Sequence, residues 1–436
     1  MKKTILIIVA VVAAALIFLG IMLATDKDKP LDNPATDAPV VTEPPIDIMF
    51  YEDYPKEGEI NTSTAPSKAV KITEGKVVYK DGTEKTWLEI YKEQSTTPED
   101  RKLFTFVGGT TLLTAFNDNE DIVSVIIPEG IRELESCFNN NFTACDVTLP
   151  ASLETISHSF ENAQDLTLSA NEGGKMTVIN NVLYTDQGKT LLMYPDWKND
   201  SEYVMPDDVT TIAQDAITDN PYLTKIVLSK DLENIDIHGI SNCANVVEVT
   251  MPVTLKSIHS AFTGMPMLET LEIPDGALLS GVNFTKCPKL QLVVHDTNTN
   301  YTYEDGVLYN KDKTVLIRYM ESKTDTEFAT PDSITELSPS AFAYNEYVET
   351  ISINEGVTTV GTFFAECKAL TTVNLPVSMT SLKTMTFTRL PKLTSINFAG
   401  TMLEWMQVNK GIDWIISSLE YKLNCSDESI SYKGTA

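Results

Sequence analysis

Phenylalanine recurs in this chain at intervals of 22 or 23 residues, in three runs that extend from residue 116 to residue 387. A regular period of this length is typical of an array in which each repeat forms one coil and stacks on its neighbours. We therefore expect the side chains that recur in each coil to line up into one continuous interior. This predicted ladder comprises Phe116, Phe138, Phe160, Phe262, Phe284, Phe342, Phe364 and Phe387, with Ile217 and Ile240 at two equivalent positions.

A short alternating segment and a proline precede most of the ladder positions. Examples of the segment are Val247–Met251, in which every second residue is aliphatic, and Leu370–Leu375, which ends in the alternation Val-Asn-Leu. Alternation of period two over this length predicts a strand with one buried face. The prolines follow these segments and stand ten to eleven residues before the ladder position, at Pro128, Pro150, Pro206, Pro252, Pro274, Pro331 and Pro376.

A third set of equivalent positions identifies the kind of repeat. An asparagine or cysteine ahead of a Leu-x-x-Leu-x-Leu strand is typical of leucine-rich repeats. Its side chain is expected to turn inward at a bend and to meet backbone groups of a neighbouring coil. The positions are Asn119, Asn220, Cys243, Met265, Cys287, Asn345, Cys367 and Leu390.

These units resemble the bacterial surface leucine-rich repeats of the BspA type. Val247–Phe262 follows the pattern Leu-x-x-Ile-x-Leu-Pro-x-x-Leu-x-x-Ile-x-x-x-Ala-Phe of that family, and the resemblance covers about residues 104–430. It implies a right-handed solenoid with a parallel β-sheet on the concave face and a mostly irregular or short helical convex side. It also implies a surface or secreted bacterial protein, and some members of the family are adhesins for host matrix proteins.

Two of the repeats are longer than the others, and their extra segments resemble each other. Asn181–Pro195 and Gly306–Tyr319 both read as strand, reversal, strand. Each predicts a β-hairpin. We expect these insertions, near residues 176–205 and 301–330, to project from the edge of the solenoid.

The first 60 residues precede the repeats. Lys2 and Lys3 stand before an apolar run from Ile5 to Ala24, which is long enough to span a bilayer. Residues 1–25 thus predict a transmembrane anchor, with a cleaved signal peptide as the alternative, and residues 26–60 predict an extended Pro- and Asp-rich linker. The positive-inside rule then places a single-pass protein in the cell membrane with its C-terminal part outside, or a secreted protein after cleavage.

The segments on either side of the repeats are predicted to close the ends of the array. A solenoid exposes a hydrophobic surface at each end, which a cap must cover. Residues 61–103 predict an N-terminal β capping region, residues 104–392 the solenoid itself, and residues 393–436 a C-terminal cap that contains Trp405 and Trp414.

The charge of the chain excludes several classes of partner. With 33 Lys and Arg against 61 Asp and Glu, the net charge is −28. Such a surface repels phosphate backbones and anionic headgroups. We therefore expect no nucleic acid partner, and contact with the membrane only through the N-terminal helix; the oligomeric state stays open.

The sequence contains no recognised motif for catalysis, cofactor binding or metal binding. The four histidines, His158, His238, His259 and His295, form no known ligand or catalytic spacing, and no phosphate or dinucleotide loop is present. The segment 296–300 begins like a calcium loop but lacks the glycine and the glutamate that such a loop requires, so we interpret it as the lead-in to the second hairpin. We predict no enzyme, no cofactor and no metal site.

The six cysteines are interpreted mainly as small buried hydrophobic residues. Cys243 and Cys287 are separated by the rung of Met265, which puts them about 10 Å apart. A disulfide requires Cα atoms within roughly 7 Å. A bond between Cys137 and Cys145 stays open.

The predicted strands present a row of outward residues, which is the candidate ligand face. It is a broad hydroxyl and amide surface with a few acids, and the alternative is a merely solvated face. A cluster of Tyr301, Tyr303, Tyr309 and Tyr319 is a second candidate contact, with packing under the hairpin as its alternative. The candidate ligand face consists of Lys225, Glu248, Thr250, Thr270, Glu272, Thr350, Ser352, Thr372 and Asn374.

Two functions are compatible with these features. The first is an adhesin-like binding module that recognises a protein or glycan at the bacterial cell surface. The second is a structural scaffold of the cell envelope without an external ligand.

Overall fold

The computed structural model describes residues 65–97, 102–416 and 420–433. The anchor predicted over residues 1–25 and the linker predicted over residues 26–60 lie outside this range. Among the described residues, no helix combines the length and the apolar composition that crossing a bilayer requires. The described residues form a β-solenoid in which a coil contributes one strand to a first ladder and a strand of equal or smaller length to a second ladder.

The N-terminal block begins with a hairpin and a short helix that cover the first coil. Strand β1 pairs antiparallel with β2 on one side and with β5 on the other, where the parallel ladder β5-β7-β9 begins. Trp87 of helix α1 is fully buried and stacks on Phe104 with ring centroids 4.5 Å apart. The elements are β1 (Lys76–Tyr79), β2 (Glu84–Thr86), α1 (Trp87–Glu93), β3 (Thr105–Val107), β4 (Thr111–Leu113), β5 (Ile122–Ile126), β6 (Glu133–Glu135), β7 (Cys145–Leu149), β8 (Thr155–Ser157) and β9 (Leu166–Ala170).

The first insertion is a three-stranded antiparallel sheet of β10 (Thr177–Ile179), β11 (Val182–Thr185) and β12 (Thr190–Met193). The predicted hairpin corresponds to β11 and β12, and the sequence did not indicate β10. Strand β12 also pairs in parallel with the next coil, through Thr190 and Leu191. The insertion therefore does not project from the edge as we expected, because its last strand takes a place in the second ladder.

The middle block contains two uninterrupted parallel ladders of five strands each. Its first ladder has the order β13-β16-β19-β21-β23, and its second ladder continues from β12 through β14, β17 and β20 to β22. The strands are β13 (Glu202–Val204), β14 (Thr211–Ile212), β15 (Ile217–Thr218), β16 (Lys225–Val227), β17 (Asn234–Ile235), β18 (Ile240–Ser241), β19 (Glu248–Thr250), β20 (Ser257–His259), β21 (Thr270–Glu272), β22 (Leu278–Ser280) and β23 (Gln291–Val293).

The second insertion repeats the arrangement of the first. Its strands β24 (Tyr301–Glu304), β25 (Val307–Asn310) and β26 (Val315–Tyr319) are antiparallel, and β26 pairs in parallel with the following coil. At each insertion the first ladder is interrupted, since β9 does not pair with β13 and β23 does not pair with β27 (Glu327–Ala329).

The C-terminal block carries the last coils and a helix. Trp414 packs edge-on against Phe387 and Trp405, with ring centroids 5.9 Å and 5.8 Å away. The first ladder β27-β29-β31-β34-β37 ends with the antiparallel strand β38. The remaining elements are β28 (Glu336–Leu337), β29 (Thr350–Ser352), β30 (Thr359–Val360), β31 (Thr372–Leu375), β32 (Ser381–Leu382), β33 (Phe387–Thr388), β34 (Ser395–Phe398), α2 (Met402–Gln407), β35 (Asn409–Lys410), β36 (Ile415–Ile416), β37 (Tyr421–Asn424) and β38 (Ser429–Tyr432).

The side of the coils that we expected to be irregular or helical contains the second ladder. Its strands are two to four residues long within the middle block and the first insertion. Both α-helices in the described part of the chain lie at its two ends, and each begins with a capping box, at Thr86–Glu89 and Thr401–Glu404.

The eight phenylalanines of the predicted ladder lie in the interior, where their rings stack from coil to coil. All eight side chains are buried, and neighbouring rings within each run lie 5.1 to 6.3 Å apart. Five of these residues, Phe116 to Phe284, adopt the left-handed backbone region with φ between 56° and 69°. That conformation costs a side chain with a Cβ about 1–2 kcal/mol. Burial and stacking of the rings offset the cost.

The interior is divided into three hydrophobic clusters rather than one. The N-terminal cluster extends to Leu183, the middle cluster from Val182 to Met320, and the C-terminal cluster from Val307 to Leu423. The borders fall within the two insertions. The expectation of a single continuous interior was therefore wrong at these two places, although the coils inside each block stack as expected.

The third set of ladder positions is buried at every coil. Asn220 donates hydrogen bonds from Nδ2 to three main-chain carbonyls of the preceding loop, those of Pro195, Asp196 and Lys198, at 2.9–3.1 Å. At Cys287 the thiol contacts one carbonyl of the preceding coil instead, that of Phe262, at 3.1 Å. Asn220 and Cys287 thus turn inward to backbone groups of a neighbouring coil, whereas Asn119 bonds the backbone of Ile122 in its own coil.

Candidate binding surface

The outward residues of the middle block lie in two straight rows across its first ladder. Between the rows the strands bury Ile226, Val249 and Leu271. Because parallel strands are about 4.8 Å apart, each row repeats one side chain at that interval. The first row is Glu202, Lys225, Glu248, Thr270 and Gln291, and the second is Val204, Val227, Thr250, Glu272 and Val293.

One lysine forms ion pairs with two acids of the first row. Lys225 Nζ lies 3.4 Å from Glu202 Oε1 and 3.5 Å from Glu248 Oε1. The hydrogen bond with Glu202 and the charge of Glu248 raise the pKa of Lys225 above its ordinary value. Glu272 of the second row lies 3.1 Å from His295. Since three acids of the two rows face one lysine, this face has an excess of negative charge.

The outward residues of the C-terminal block form a hydrogen-bonded ladder of amides. Asn424 donates to Asn397, and Asn397 donates to Asn374, both at 2.7 Å. Asn374 in turn donates to the hydroxyl of Ser352 at 2.7 Å. Each Asn side chain is held by its neighbours in one orientation, so the outward polar groups form a fixed array.

The other outward row of the same sheet consists mostly of hydroxyl side chains. Thr350, Thr372 and Ser395 are in register between Glu327 at one edge and Lys422 near the other. A regular surface of hydroxyls and amides can donate and accept hydrogen bonds at several places along an extended partner.

The structure thus places all nine residues of the candidate ligand face outward, but on two separate sheets. Lys225, Glu248, Thr250, Thr270 and Glu272 belong to the middle block, and Thr350, Ser352, Thr372 and Asn374 belong to the C-terminal block. The second insertion separates them, since β23 and β27 are unpaired with each other. The first sheet is acidic and the second is nearly uncharged.

The tyrosines near the second hairpin pack under it, which was the alternative to a contact patch. Tyr301, Tyr309 and Tyr319 are buried, and the Tyr301 hydroxyl accepts a hydrogen bond from the Leu279 amide at 2.7 Å. Burial raises the pKa of Tyr309 to about 12. Tyr303 is half-buried and donates to Gln291 at 3.0 Å.

The candidate catalytic and metal-binding side chains are dispersed over the described residues. All four histidines are exposed, and His158 lies in a turn while His259 ends strand β20. In residues 65–97, 102–416 and 420–433, no group of three or more His, Cys, Asp or Glu side chains is placed to hold a metal ion. Asn298 of the calcium-like segment is buried and accepts hydrogen bonds from the Asn300 and Tyr301 amides, as expected of a lead-in to β24.

All six cysteines are free thiols, and five of them are buried. Cys137 Sγ lies 3.4 Å from the carbonyl oxygens of Leu112 and Glu135. Burial raises the pKa of Cys137 to about 11 and that of Cys145 to about 12.

A buried ion pair in the second insertion was not anticipated from the sequence. Arg318 Nη2 lies 2.7 Å from Glu321 Oε1, and both side chains are 3% exposed. The guanidinium also donates to the carbonyls of Ser340 and Ala343 in the next coil. Burial raises the pKa of Glu321 to about 7, and Arg318 opposes that rise. Arginine in a hairpin otherwise reads as a surface residue, so only the matching apolar residue of the first insertion, Met193, could have indicated burial.

The chain is similar to a known family of repeat proteins. A family model described as the BspA type leucine-rich repeat region matches the chain in six copies, over residues 112–188, 197–314 and 318–407. No curated protein matches the chain.

Several solved structures are similar to the chain. The pneumococcal vaccine antigen PcpA is 20% identical, with a TM-score of 0.42, over 71% of this chain and 81% of that one. A leucine-rich repeat protein from Eubacterium ventriosum is 22% identical, with a TM-score of 0.41, over 50% of this chain and 69% of that one. A leucine-rich repeat protein from Bacteroides ovatus is 16% identical, with a TM-score of 0.35, over 79% of both chains.

Proposed function

Because this chain belongs to the family of BspA-type leucine-rich repeat proteins, we propose that it is a recognition module of the bacterial cell surface that binds a protein or glycan. Residues 1–25 tether it to the membrane, and the linker of residues 26–60 holds the solenoid outside. The two sheets that carry the candidate ligand face bind the partner, and they do not catalyse a reaction.

The observation that carries this proposal is the ordered polar array of the C-terminal block. The Ser352–Asn374–Asn397–Asn424 ladder fixes its side chains through mutual hydrogen bonds, so little side-chain entropy is lost when a partner binds. A face that only needed solvation would not require such order. The regular interval of the rows suits an extended partner that makes the same contact at each coil.

The test is binding of the full chain in detergent micelles to arrays of extracellular matrix proteins and mucin glycans. Thr350→Lys and Thr372→Lys place a long cation on the ligand face and should weaken binding at least tenfold. Thr358→Lys makes the same change at an exposed position just before β30, outside the first ladder, and should bind as the wild type does. Equal effects of all three substitutions, or no binding at all, would contradict the proposal.

A scaffold function is the second candidate, and the last strand favours it. All four residues of β38 are exposed, and β38 pairs on one side only. An open edge of this kind can pair with a strand of another molecule. Crosslinking on intact cells separates the two functions, because a scaffold should capture envelope proteins or further copies of the chain, whereas an adhesin-like module should not.

A further inference from the structure

The two insertions dock onto the following coil through the same contacts. The Tyr194 amide donates to the Ala216 carbonyl, and the Tyr319 amide donates to the Ala341 carbonyl, both at 2.7 Å. Asn345 repeats the role of Asn220, since its Nδ2 donates to the carbonyls of three residues in the loop that follows β26, namely Met320, Glu321 and Lys323. The insertions can therefore be compared position by position.

The comparison shows a difference in charge at one position of the last strand. Met193 and Arg318 are equivalent, because they pair with the equivalent residues Leu183 and Leu308 of the middle strand. In the second insertion, the cation of Arg318 forms an ion pair with the buried Glu321. In the first insertion, the thioether side chain of Met193 has no charge to offer.

The first insertion nevertheless keeps the acid. Asp196 is equivalent to Glu321, since Asn220 and Asn345 bind the carbonyls of these two residues. Glu321 accepts a hydrogen bond from the Lys286 amide of the preceding block at 2.7 Å. Next to Asp196, Trp197 donates from Nε1 to the Leu166 carbonyl of the preceding block at 3.2 Å, and its ring lies 6.4 Å from that of Phe160. The segment of Asp196 and Trp197 therefore joins the first insertion to the N-terminal block.

The surroundings of Asp196 provide no counter-charge. Its Oδ1 atom is buried and has no hydrogen-bond partner. The charged group that acts on it is a second acid, Asp219, from the next coil. Lys198 of the same loop is paired with Asp200, with Nζ and Oδ2 2.9 Å apart. An ionised carboxylate at this place is thus poorly solvated and uncompensated.

We propose that the contact between the N-terminal block and the first insertion is a proton-sensitive joint, which closes firmly when Asp196 is protonated and loosens when Asp196 is ionised. The second insertion has the same contact with a counter-ion, since Arg318 lies beside the acid Glu321. The device lies outside the ligand face, and the proposed function does not depend on it.

The direction of the effect follows from the pKa. Burial, and then the charge of Asp219, raise the pKa of Asp196 from 3.8 to about 6. A group whose pKa is higher in the closed state than in the open state favours closure when protonated. Closure is therefore fully supported below the ordinary pKa of an aspartic acid and weakens as the pH rises through about 6.

Hydrogen exchange of the full chain in detergent micelles tests the joint. The exchange is measured by mass spectrometry at pH 5.0 and 7.5, and the rates are corrected for intrinsic exchange. In the wild type, the opening constant for peptides covering β9 to β12 should be about tenfold larger at pH 7.5. A shift of about two pKa units limits the change to about a hundredfold. Peptides covering β31 and β34 of the C-terminal block provide the internal reference.

Three variants decide the assignment. Asp196→Asn should remove the pH dependence and keep the joint as protected at pH 7.5 as the wild type is at pH 5.0. Met193→Arg, which imitates the second insertion, should reduce the pH dependence. Asp207→Asn removes an exposed acid nearby and should behave as the wild type does. If Asp196→Asn keeps the wild-type pH dependence, or if the wild type shows none at the joint, the proposal is overturned.

Discussion

Leu183 and Tyr184 are adjacent in the chain, but their side chains lie in different hydrophobic clusters. Leu183 completes the N-terminal cluster, whereas Tyr184 belongs to the middle cluster. The second insertion repeats the relationship, with Leu308 in the middle cluster and Tyr309 in the C-terminal cluster. Since neighbouring side chains of a strand point to opposite faces, the middle strand of each insertion is a wall with a buried surface on both sides.

Substitutions on the two faces of this wall should weaken different blocks. Leu308→Ala creates a cavity in the middle cluster, and Tyr309→Ala creates one in the C-terminal cluster. Each should cost about 2–5 kcal/mol. Hydrogen exchange should show faster opening of β19 to β23 in the first variant and of β29 to β31 in the second. The same pattern of opening in both variants would show that the wall does not separate the blocks.

The phenylalanine ladder can be tested by a matched pair of substitutions. Phe364 is fully buried between two stacked rings, and Phe364→Ala should lower the free energy of unfolding by about 3–5 kcal/mol. Phe142 is 61% exposed, so Phe142→Ala should change it by about 0.5 kcal/mol or less. Denaturant titration measures both, and a loss under about 1 kcal/mol for Phe364→Ala would mean that the ladder register is wrong.

Asn345 should be more sensitive than its small side chain suggests. Besides its three carbonyl contacts, its Oδ1 accepts hydrogen bonds from the amides of Tyr347 and Val348, both at 2.9 Å. Asn345→Ala leaves these buried backbone groups without partners and should cost about 3 kcal/mol or more. Asn345→Cys copies the residue at position 367 but supplies only one weak donor. Thermal unfolding should show a clear loss for this variant too, and full stability of Asn345→Cys would refute the role of the amide.

Thiol labelling should distinguish one cysteine from the other five. Burial raises the pKa of Cys243, Cys287 and Cys367 to about 12, and Cys425 is the one that is partly exposed. The thiolate is the reactive form, so at pH 8 iodoacetamide should modify the native protein at Cys425 first. After denaturation all six cysteines should react. Recovery of only four reactive thiols, with Cys137 and Cys145 protected, would instead indicate a disulfide between those two.

The sequence predicts the coils well because each coil must place the same kind of side chain at the same point. Phe262 and Phe284 have to meet in space, so their spacing along the chain reports the length of a coil directly. The second ladder has no such signature, since a strand such as Thr211–Ile212 is too short for a period-two pattern. A two-residue strand forms only because its neighbours in adjacent coils are already aligned.

The candidate ligand face and the joint differ in how far sequence reveals them. Thr250 and Thr372 could be placed outward, because alternation with buried aliphatic residues defines the face. The separation into two sheets could not be foreseen, because the pattern of the second insertion predicts a hairpin but does not show that β23 and β27 fail to pair across it. Asp196 was equally hidden, since its environment depends on Asn162 and Asp219 from two other coils.

Because β11 and β25 are buried on both faces, each of them closes the end of one block within the array. If the coils beyond the second insertion were lost, the middle cluster would still be bounded by Leu308 rather than open to water. Gain or loss of a whole block is therefore less damaging than loss of a single coil. The number of blocks can therefore change while each block keeps its own parallel sheet.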